Sequence, residues 1–239
     1  MTPQKTIIKA FKEMAPDYEA KVDGELKRFW GWNYPSFIEQ LIAVTPLRPG
    51  DKVLDIATGT GFIPRHLFSN GHSPSQVVGV DITWRMLAQG KQLIHSDRLE
   101  DVVSLTCASA MRMPFRTDSF DLAFCGLASH HMSVSELLSE SFRVLKPGGL
   151  ITFADVGSNE AWRNPLVNVF LRIGAFFYFV FKEGFSRAIA ESNSLSNILT
   201  IEEWKYRLAE HHFTGIRIER LPAGHFWSPA PLVIQATKP

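Results

Sequence analysis

The sequence predicts an α/β fold, an open and mainly parallel seven-stranded sheet covered by helices. Three observations support this prediction. Short apolar runs without strict alternation recur through residues 50–156, as in strands that are buried on both faces. The segments between these runs are long enough for parallel crossovers. An acidic residue or a glycine follows several runs, at the sheet edge where ligands bind in open α/β folds.

Residues 1–45 precede the first strand and form a predicted N-terminal arm. Residues 4–44 look helical and are rich in aromatic side chains. Prolines and glycines cut them into short pieces, at Pro16, Gly24, Gly31 and Pro35. We therefore expect a wrapping arm or lid, with its aromatic residues, including Tyr18, facing the sheet.

The core at 50–156 alternates strands and helices, as βαβ units do. Its five strands are expected at 52–56, 77–80, 103–107, 120–125 and 150–154. The helices between them are expected at about 62–70, 83–95 and 133–145. The C-terminal part, residues 201–239, continues with a helix at about 201–212 and strands at 216–221 and 232–236. We expect the last strand to run antiparallel to the others.

Residues 157–200 do not follow this alternation and form a predicted apolar helical cap. Leu166 to Phe181 is a 16-residue run with five phenylalanines, interrupted by Asn168 and Arg172. As a helix it would be about 24 Å long, shorter than the ~30 Å core of a bilayer, so we expect no transmembrane segment. Peripheral contact with a membrane stays open. Two alternatives remain for the cap, a helix packed on the sheet or a lid over an apolar substrate.

Composition narrows the class of protein. Lys and Arg total 25 against 24 for Asp and Glu, so no basic surplus favours a nucleic-acid partner. Cys107 and Cys125 lack the spacing of metal ligands, and we expect neither a metal site nor a disulfide. The chain has 239 residues and no low-complexity linker, so we expect one domain. The N-terminus lacks an apolar signal region, so we expect a cytoplasmic protein. The oligomeric state is open, a homodimer included.

The stretch from Val53 to Gly61 carries the clearest ligand signal. Its strand contains Asp55, and Gly59 and Gly61 then allow a tight turn and a close approach of the backbone to a ligand. The dinucleotide fingerprint G-x-G-x-x-G fails here, because its third small residue would be Pro64. A carboxylate beside the turn suits a cationic ligand better than a pyrophosphate.

A second acidic residue, Asp81, ends the next strand, 20 residues after Gly61. There a carboxylate can accept hydrogen bonds from both ribose hydroxyls of a nucleoside. The alternative is that Asp81 caps the helix that begins near Thr83.

Four ordered blocks resemble class I S-adenosylmethionine-dependent methyltransferases, with the nearest subgroup being the ubiquinone and menaquinone methyltransferases. The blocks lie at 53–61, at 78–82, at 113–121 (Met-Pro-Phe, then Asp-Ser-Phe-Asp) and at 143–149 (Arg-Val-Leu-Lys-Pro-Gly-Gly). The resemblance implies a Rossmann-like fold with helical lid insertions, S-adenosylmethionine as cofactor and S-adenosylhomocysteine as product.

The resemblance also implies which residues contact the cofactor: Asp55, Ala57, Gly59, Gly61, Asp81, Ile82, Ser109, Ala110, Met111, Cys125 and Gly126. Asp81 would hold the ribose hydroxyls and Ile82 the adenine. Ser109 stands where family members usually have an acid for the adenine amino group, so adenine recognition would rest on Ala110 and Met111. Ala57 replaces a glycine found in many members.

His130 and His131 follow the fourth strand and are the predicted catalytic residues. Methyl transfer is an in-line displacement, and a base with a pKa near neutrality can expose a phenol, enol or ring-carbon nucleophile. Alternatively, either histidine caps the next helix or packs under its loop.

The expected substrate is a small, apolar metabolite, aromatic, quinone-like or polyketide-like, because both lids are aromatic. We expect Tyr18, Phe176 and Phe177 to contact it. Two other functions remain open. The chain could use the bound cofactor in a cyclisation or elimination, or it could be a cofactor-binding accessory subunit.

Overall fold

The computed structural model describes residues 3–158, 160–224 and 229–239. Its sheet contains seven strands in the order β3-β2-β1-β4-β5-β7-β6. The strands are β1 Lys52–Ile56, β2 Gln76–Asp81, β3 Val103–Cys107, β4 Phe120–Gly126, β5 Leu145–Val156, β6 Thr214–Arg220 and β7 Pro231–Thr237. Strand β7 is antiparallel to both β5 and β6, and the first five strands pair in parallel. The predicted fold class is confirmed.

Nine helices accompany the sheet in the described part of the chain. They are α1 Pro3–Met14, α2 Tyr18–Trp30, α3 Tyr34–Ala43, α4 Phe62–Ser69, α5 Trp84–Ser96, α6 Val134–Val144, α7 Pro165–Glu183, α8 Phe185–Ser194 and α9 Ile201–Glu210. Short 3-10 turns lie at Ala15–Asp17, Ser129–His131, Glu160–Arg163 and Leu195–Asn197. The predicted arm therefore consists of α1 to α3, and the predicted cap of α7 and α8.

Strand β5 begins five residues before its predicted start at 150. Leu145 already pairs with Phe120 of β4, and the register then shifts before Leu122 pairs with Leu150. The glycine-rich turn at 146–149 thus lies within the strand rather than in front of it. The Lys-Pro-Gly-Gly sequence indicates the end of the preceding helix, α6. The start of the strand is set by the pairing of β5 with β4.

The core lies on both faces of the sheet because the central strands are apolar on both sides. Leu54 and Ile56 pack with Leu137 and Trp204, under α6 and α9. Val53 packs on the opposite face, in a second cluster that contains Phe37 of α3 and other apolar residues of α3 and α4. Because β1 is buried on both faces, it is held inside the sheet. Its carboxyl end leads into the loop that contains Gly59 and Gly61.

Helix α7 differs from the sequence prediction in length and burial. It has 19 residues and is about 28 Å long, longer than the predicted run of 16 residues, so its length alone does not exclude a spanning helix. The alternative of a core helix packed on the sheet is wrong, since none of the residues of α7 is buried. By length and composition alone, one helix of the described chain could cross a membrane.

We predict that Gly90→Ala destabilises the protein by about 1–3 kcal/mol, although alanine normally favours a helix. A Cβ at position 90 of α5 would lie 2.9 Å from the backbone carbon and oxygen of Thr60, in the loop after β1. Gly174 in α7 is the matched control, since a Cβ there meets no atom within 4 Å. Urea denaturation should show a loss for Gly90→Ala and a gain of up to about 1 kcal/mol for Gly174→Ala. Equal effects would contradict the packing of α5 on this loop.

Candidate functional site

The loop after β1 is held in place by the carboxylate that ends β2. Gly59 and Gly61 adopt left-handed conformations with φ of 57° and 75°, as the sequence predicted for a tight turn. Asp81 accepts hydrogen bonds from the backbone N–H of Gly59 at 3.0 Å and of Thr83 at 2.7 Å. A carboxylate has about four acceptor positions, and the Thr83 hydroxyl also bonds to Asp81, so only the remaining acceptor capacity is left for a ligand. The helix-start contact and a ligand contact are therefore compatible roles for Asp81.

A cavity of about 790 Å³ opens beside this loop. Seven predicted cofactor residues line it: Ala57, Gly59, Asp81, Ile82, Ser109, Ala110 and Met111. Three others pack away from it. Gly61 lies against Ile94, Gly126 lies against Ile63, and Cys125 is fully buried in β4. The motif spacing alone did not separate residues that face the cavity from residues that support its walls.

Asp55, the fourth predicted cofactor residue that does not line the cavity, lies directly beneath the loop. Its Oδ2 accepts a hydrogen bond from the Thr58 hydroxyl at 2.5 Å. Burial raises the pKa of Asp55 to about 7, with the Thr58 bond opposing and the nearby Asp81 adding to the increase. Its other oxygen, Oδ1, has no hydrogen-bond partner among the described residues. A cationic group that reached this oxygen would favour the ionised form of Asp55.

The N-terminal arm closes on the same loop. Glu19 of α2 accepts hydrogen bonds from Thr60 at 2.7 Å and from Arg65 at 2.8 Å. The ring of Tyr18 lies 3.4 Å from the position that a Cβ on Gly59 would occupy. Burial raises the pKa of the Tyr18 phenol. The arm is thus part of the cavity wall.

A second cavity, of about 480 Å³, lies between α2 and the cap and opens to the surface. Its walls are mainly apolar and include Leu26, Phe29, Leu171, Tyr178 and Phe179. The predicted substrate residues Phe176 and Phe177 are not among the residues that line it. Phe177 is 54% exposed on the outer face of α7. The apolar run surrounds the helix, so its sequence could not indicate which face would be turned inward.

The two cavities meet at the predicted catalytic residues. Residues lining both are Phe11, Tyr18, Leu127, His130, His131 and Ser194. These shared residues therefore join the first cavity, beside the loop that contains Gly59 and Gly61, to the mainly apolar second cavity under α7. A group bound in one cavity can react there with a molecule bound in the other.

His130 is held by an acidic residue that the sequence analysis missed. Its Nδ1 lies 2.6 Å from Oδ1 of Asp155, and the Ser129 hydroxyl donates to the other Asp155 oxygen. Burial lowers the pKa of His130, but the Asp155 carboxylate outweighs burial and raises it above the ordinary value. Asp155 lies near the end of β5, as Asp81 lies at the end of β2, so the same strand-end signal could have found it.

His131 belongs to a second buried network, formed with α8. Its Nε2 lies 3.3 Å from Oε1 of Glu191, and its Nδ1 has no hydrogen-bond partner among the described residues. Burial and the neighbouring His130 lower the pKa of His131. Arg187 lies 2.9 Å from the same Glu191 oxygen, and its guanidinium is over the ring of Phe11 at 5.0 Å.

The same network qualifies the expectation that the chain has no metal site. His130, His131 and Glu191 each offer a ligand atom, and these atoms lie within 4.8 Å of one another. In this arrangement the charge of Glu191 is already paired with Arg187. The geometry therefore describes hydrogen bonds and ion pairs around two histidines. Each histidine has a carboxylate partner, Asp155 for His130 and Glu191 for His131.

We predict opposite titrations for the two histidines. In NMR spectra of ¹⁵N-labelled histidine, His130 should titrate above the ordinary value of about 6.5 and His131 below it. Asp155→Asn should lower the pKa of His130. Because that pKa is raised in the folded state, the stability it contributes is complete below about pH 6.5 and is lost as the pH rises through the folded value.

The substitutions His130→Gln and His131→Gln assign the two signals. A pKa of His130 below the ordinary value in the wild type, or one that Asp155→Asn leaves unchanged, would contradict the pairing.

Comparison with known proteins shows that the sequence is similar to methyltransferases. Residues 54–153 match the family described as "Methyltransferase domain". A demethylmenaquinone methyltransferase from Symbiobacterium thermophilum is 31% identical over 169 residues, which is 70% of this chain and 63% of the relative. A ubiquinone/menaquinone biosynthesis C-methyltransferase from Ruegeria sp. is 36% identical over 104 residues, 43% of this chain and 41% of the relative. The chain spans less than two thirds of the length of either relative.

Solved structures show the same fold. Geranyl diphosphate C-methyltransferase from Streptomyces coelicolor, in complex with Mg²⁺, geranyl diphosphate and S-adenosylhomocysteine, superposes with a TM-score of 0.68 at 17% identity. The superposition covers 93% of this chain and 84% of that one. The resemblance to class I methyltransferases that the sequence blocks indicated is confirmed.

Proposed function

We propose that this chain, whose residues 54–153 match the family described as "Methyltransferase domain", transfers a methyl group from S-adenosylmethionine to a small apolar acceptor. The observation that carries this proposal is the junction of two cavities at His130 and His131. One cavity contains the residues expected to hold the cofactor, and the other is walled mainly by apolar side chains.

The cofactor would occupy the cavity of about 790 Å³ beside the glycine loop. The remaining acceptor capacity of Asp81 suits the ribose hydroxyls, and Ile82 and Met111 offer apolar surface to the adenine. The buried Asp55 has an unpartnered oxygen behind the loop, which supports an interaction with the positively charged end of the cofactor. Ser109 cannot replace the acid of other family members, so the backbone of Ala110 would recognise the adenine amino group.

His130 is the proposed general base. Asp155 holds its Nδ1, which directs the free Nε2 as acceptor and stabilises the imidazolium that forms after proton uptake. Loss of a proton from a phenol or an enol makes its oxygen, or the ring carbon conjugated with it, nucleophilic. The cavities then position that atom for displacement at the methyl carbon, with S-adenosylhomocysteine as leaving group. After methylation at carbon, that carbon loses its own proton and the ring becomes aromatic again.

The acceptor class follows from the second cavity. Its walls are mainly aromatic and aliphatic, and we propose an aromatic, quinone-like or polyketide-like metabolite. The relatives named for menaquinone and ubiquinone biosynthesis support a quinone precursor. An accessory subunit without a path for a substrate is disfavoured, because the cavity beside His130 opens to the surface.

We predict that Asp81→Ala weakens binding of S-adenosylhomocysteine by at least about tenfold, because each charge-assisted hydrogen bond contributes roughly 1.5–3 kcal/mol. Isothermal titration calorimetry measures this change. Glu202→Ala is the control, since the Glu202 side chain is 77% exposed on α9. Unchanged affinity in Asp81→Ala, or no binding by the wild type, would contradict the cofactor site.

We predict that His130→Gln lowers the rate of methyl transfer by about 10²- to 10⁴-fold while leaving the affinity for S-adenosylhomocysteine unchanged. Methyl-labelled cofactor with demethylmenaquinol, the reduced form that carries phenol groups, as probe acceptor measures the rate. His95→Gln is the matched control, since this side chain on α5 is 80% exposed. If the wild type binds the cofactor and consumes an acceptor but puts no label into the product, the reaction is a cyclisation or elimination instead.

A further inference from the structure

The outer face of the cap carries an unusually large exposed apolar surface. Along α7 the exposed residues recur every three or four positions, so they form one stripe on the helix. The stripe comprises Leu166 (72% exposed), Val169 (53%), Phe170 (74%), Ile173 (48%), Phe177 (54%) and Phe181 (84%). Phe185, at the start of α8, extends it at 64%. On the order of 700 Å² of apolar surface is exposed here, more than the largest patch of a typical monomer.

The exposed charged side chains of α7 itself are positive, and they are those of Arg172 and Lys182. Its acidic residue, Glu183, is turned inward, with a side chain only 9% exposed beside Arg187. Arg28 of α2 is exposed and lies over the ring of Tyr178 at 5.8 Å. A surface that combines exposed phenylalanines with cations is complementary to anionic lipid head groups over acyl chains.

We propose that the stripe on α7 is a membrane-docking surface, which lies in the interface of an anionic bilayer with its phenylalanines among the acyl chains. A second copy of this chain is a poorer occupant, because a twofold interface through α7 would bring the same cations together. A spanning helix is also a poorer fit. The inner face of α7 lines the second cavity and holds the buried Glu183–Arg187 pair, which a spanning position would pull apart.

Docking would place the mouth of the acceptor cavity against the bilayer. Phe170 lines the second cavity and is also 74% exposed on the stripe. An acceptor dissolved in the membrane could pass beside Phe170 towards His130 without entering water. This route rests on the proposed methyl transfer, whereas docking itself does not.

The test is sedimentation of the full chain with lipid vesicles. One set contains phosphatidylcholine alone, and the other includes about one third phosphatidylglycerol. The wild type should bind the anionic vesicles more strongly, and high salt should weaken this binding. Phe177→Asp with Phe181→Asp should reduce the bound fraction at least about tenfold, since neither residue lines a cavity. Tyr206→Asp is the matched control, because this aromatic side chain is 65% exposed on α9.

Two charge-reversal variants complete the test. Lys182→Glu should weaken binding to anionic vesicles by about tenfold, whereas Lys205→Glu on α9 should not. Calorimetry with S-adenosylhomocysteine shows that each variant is folded and separates a failure of docking from a failure of the cofactor site.

Three outcomes would overturn the proposal. The first is a wild type that stays in solution with anionic vesicles. The second is a dimer that the double aspartate variant converts to a monomer without any change in vesicle binding. The third is membrane attachment that resists both high salt and alkaline washing, as a spanning helix would.

Discussion

The carboxylate of Asp81 is the contact on which the arrangement of the site depends. It binds the backbone N–H of Gly59 and of Thr83, so one side chain joins the loop after β1 to the start of α5. Gly90 allows α5 to pack directly on that loop, where a Cβ would collide with Thr60. Parallel strands bring these segments to one edge of the sheet, and Asp81 fixes their spacing while keeping acceptor positions for a ligand. The cavity for the cofactor follows from this constraint.

The second half of the site, around His130 and His131, combines residues from the sheet with residues from the N-terminal arm and the cap. Helix α2 contributes Tyr18, and the turn after β4 contributes His130. Asp155 reaches His130 from β5, and Glu191 reaches His131 from α8. Acidic groups buried around two histidines are costly unless they are paired, so this density of charge is typical of a functional centre rather than of a packing core. The mainly apolar cavity beside these charged groups offers the surface that an apolar acceptor needs.

Sequence reasoning reached the fold and most of the cofactor cavity because both depend on local patterns. The apolar strands, the turn at Gly59 and the acid at Asp81 are each visible within a few residues. Asp155 was missed although it lies near a strand end as Asp81 does, whereas Glu191 was missed because α8 reaches His131 only through tertiary packing. The orientation of α7 was missed for a different reason. A helix that is apolar on all sides has no periodicity to show which face is turned inward, and Phe177 proved to face outward.

The central claim is that the methyl donor and the acceptor meet at His130. The most direct measurement is a crystal structure of the protein with S-adenosylhomocysteine and a quinone-like acceptor analogue bound. We expect the ribose hydroxyls on Asp81, the sulfur at the junction of the two cavities, and the acceptor under α7 with its reacting atom within reach of His130. An adenosyl group in the apolar cavity, or a sulfur directed away from His130, would contradict the claim.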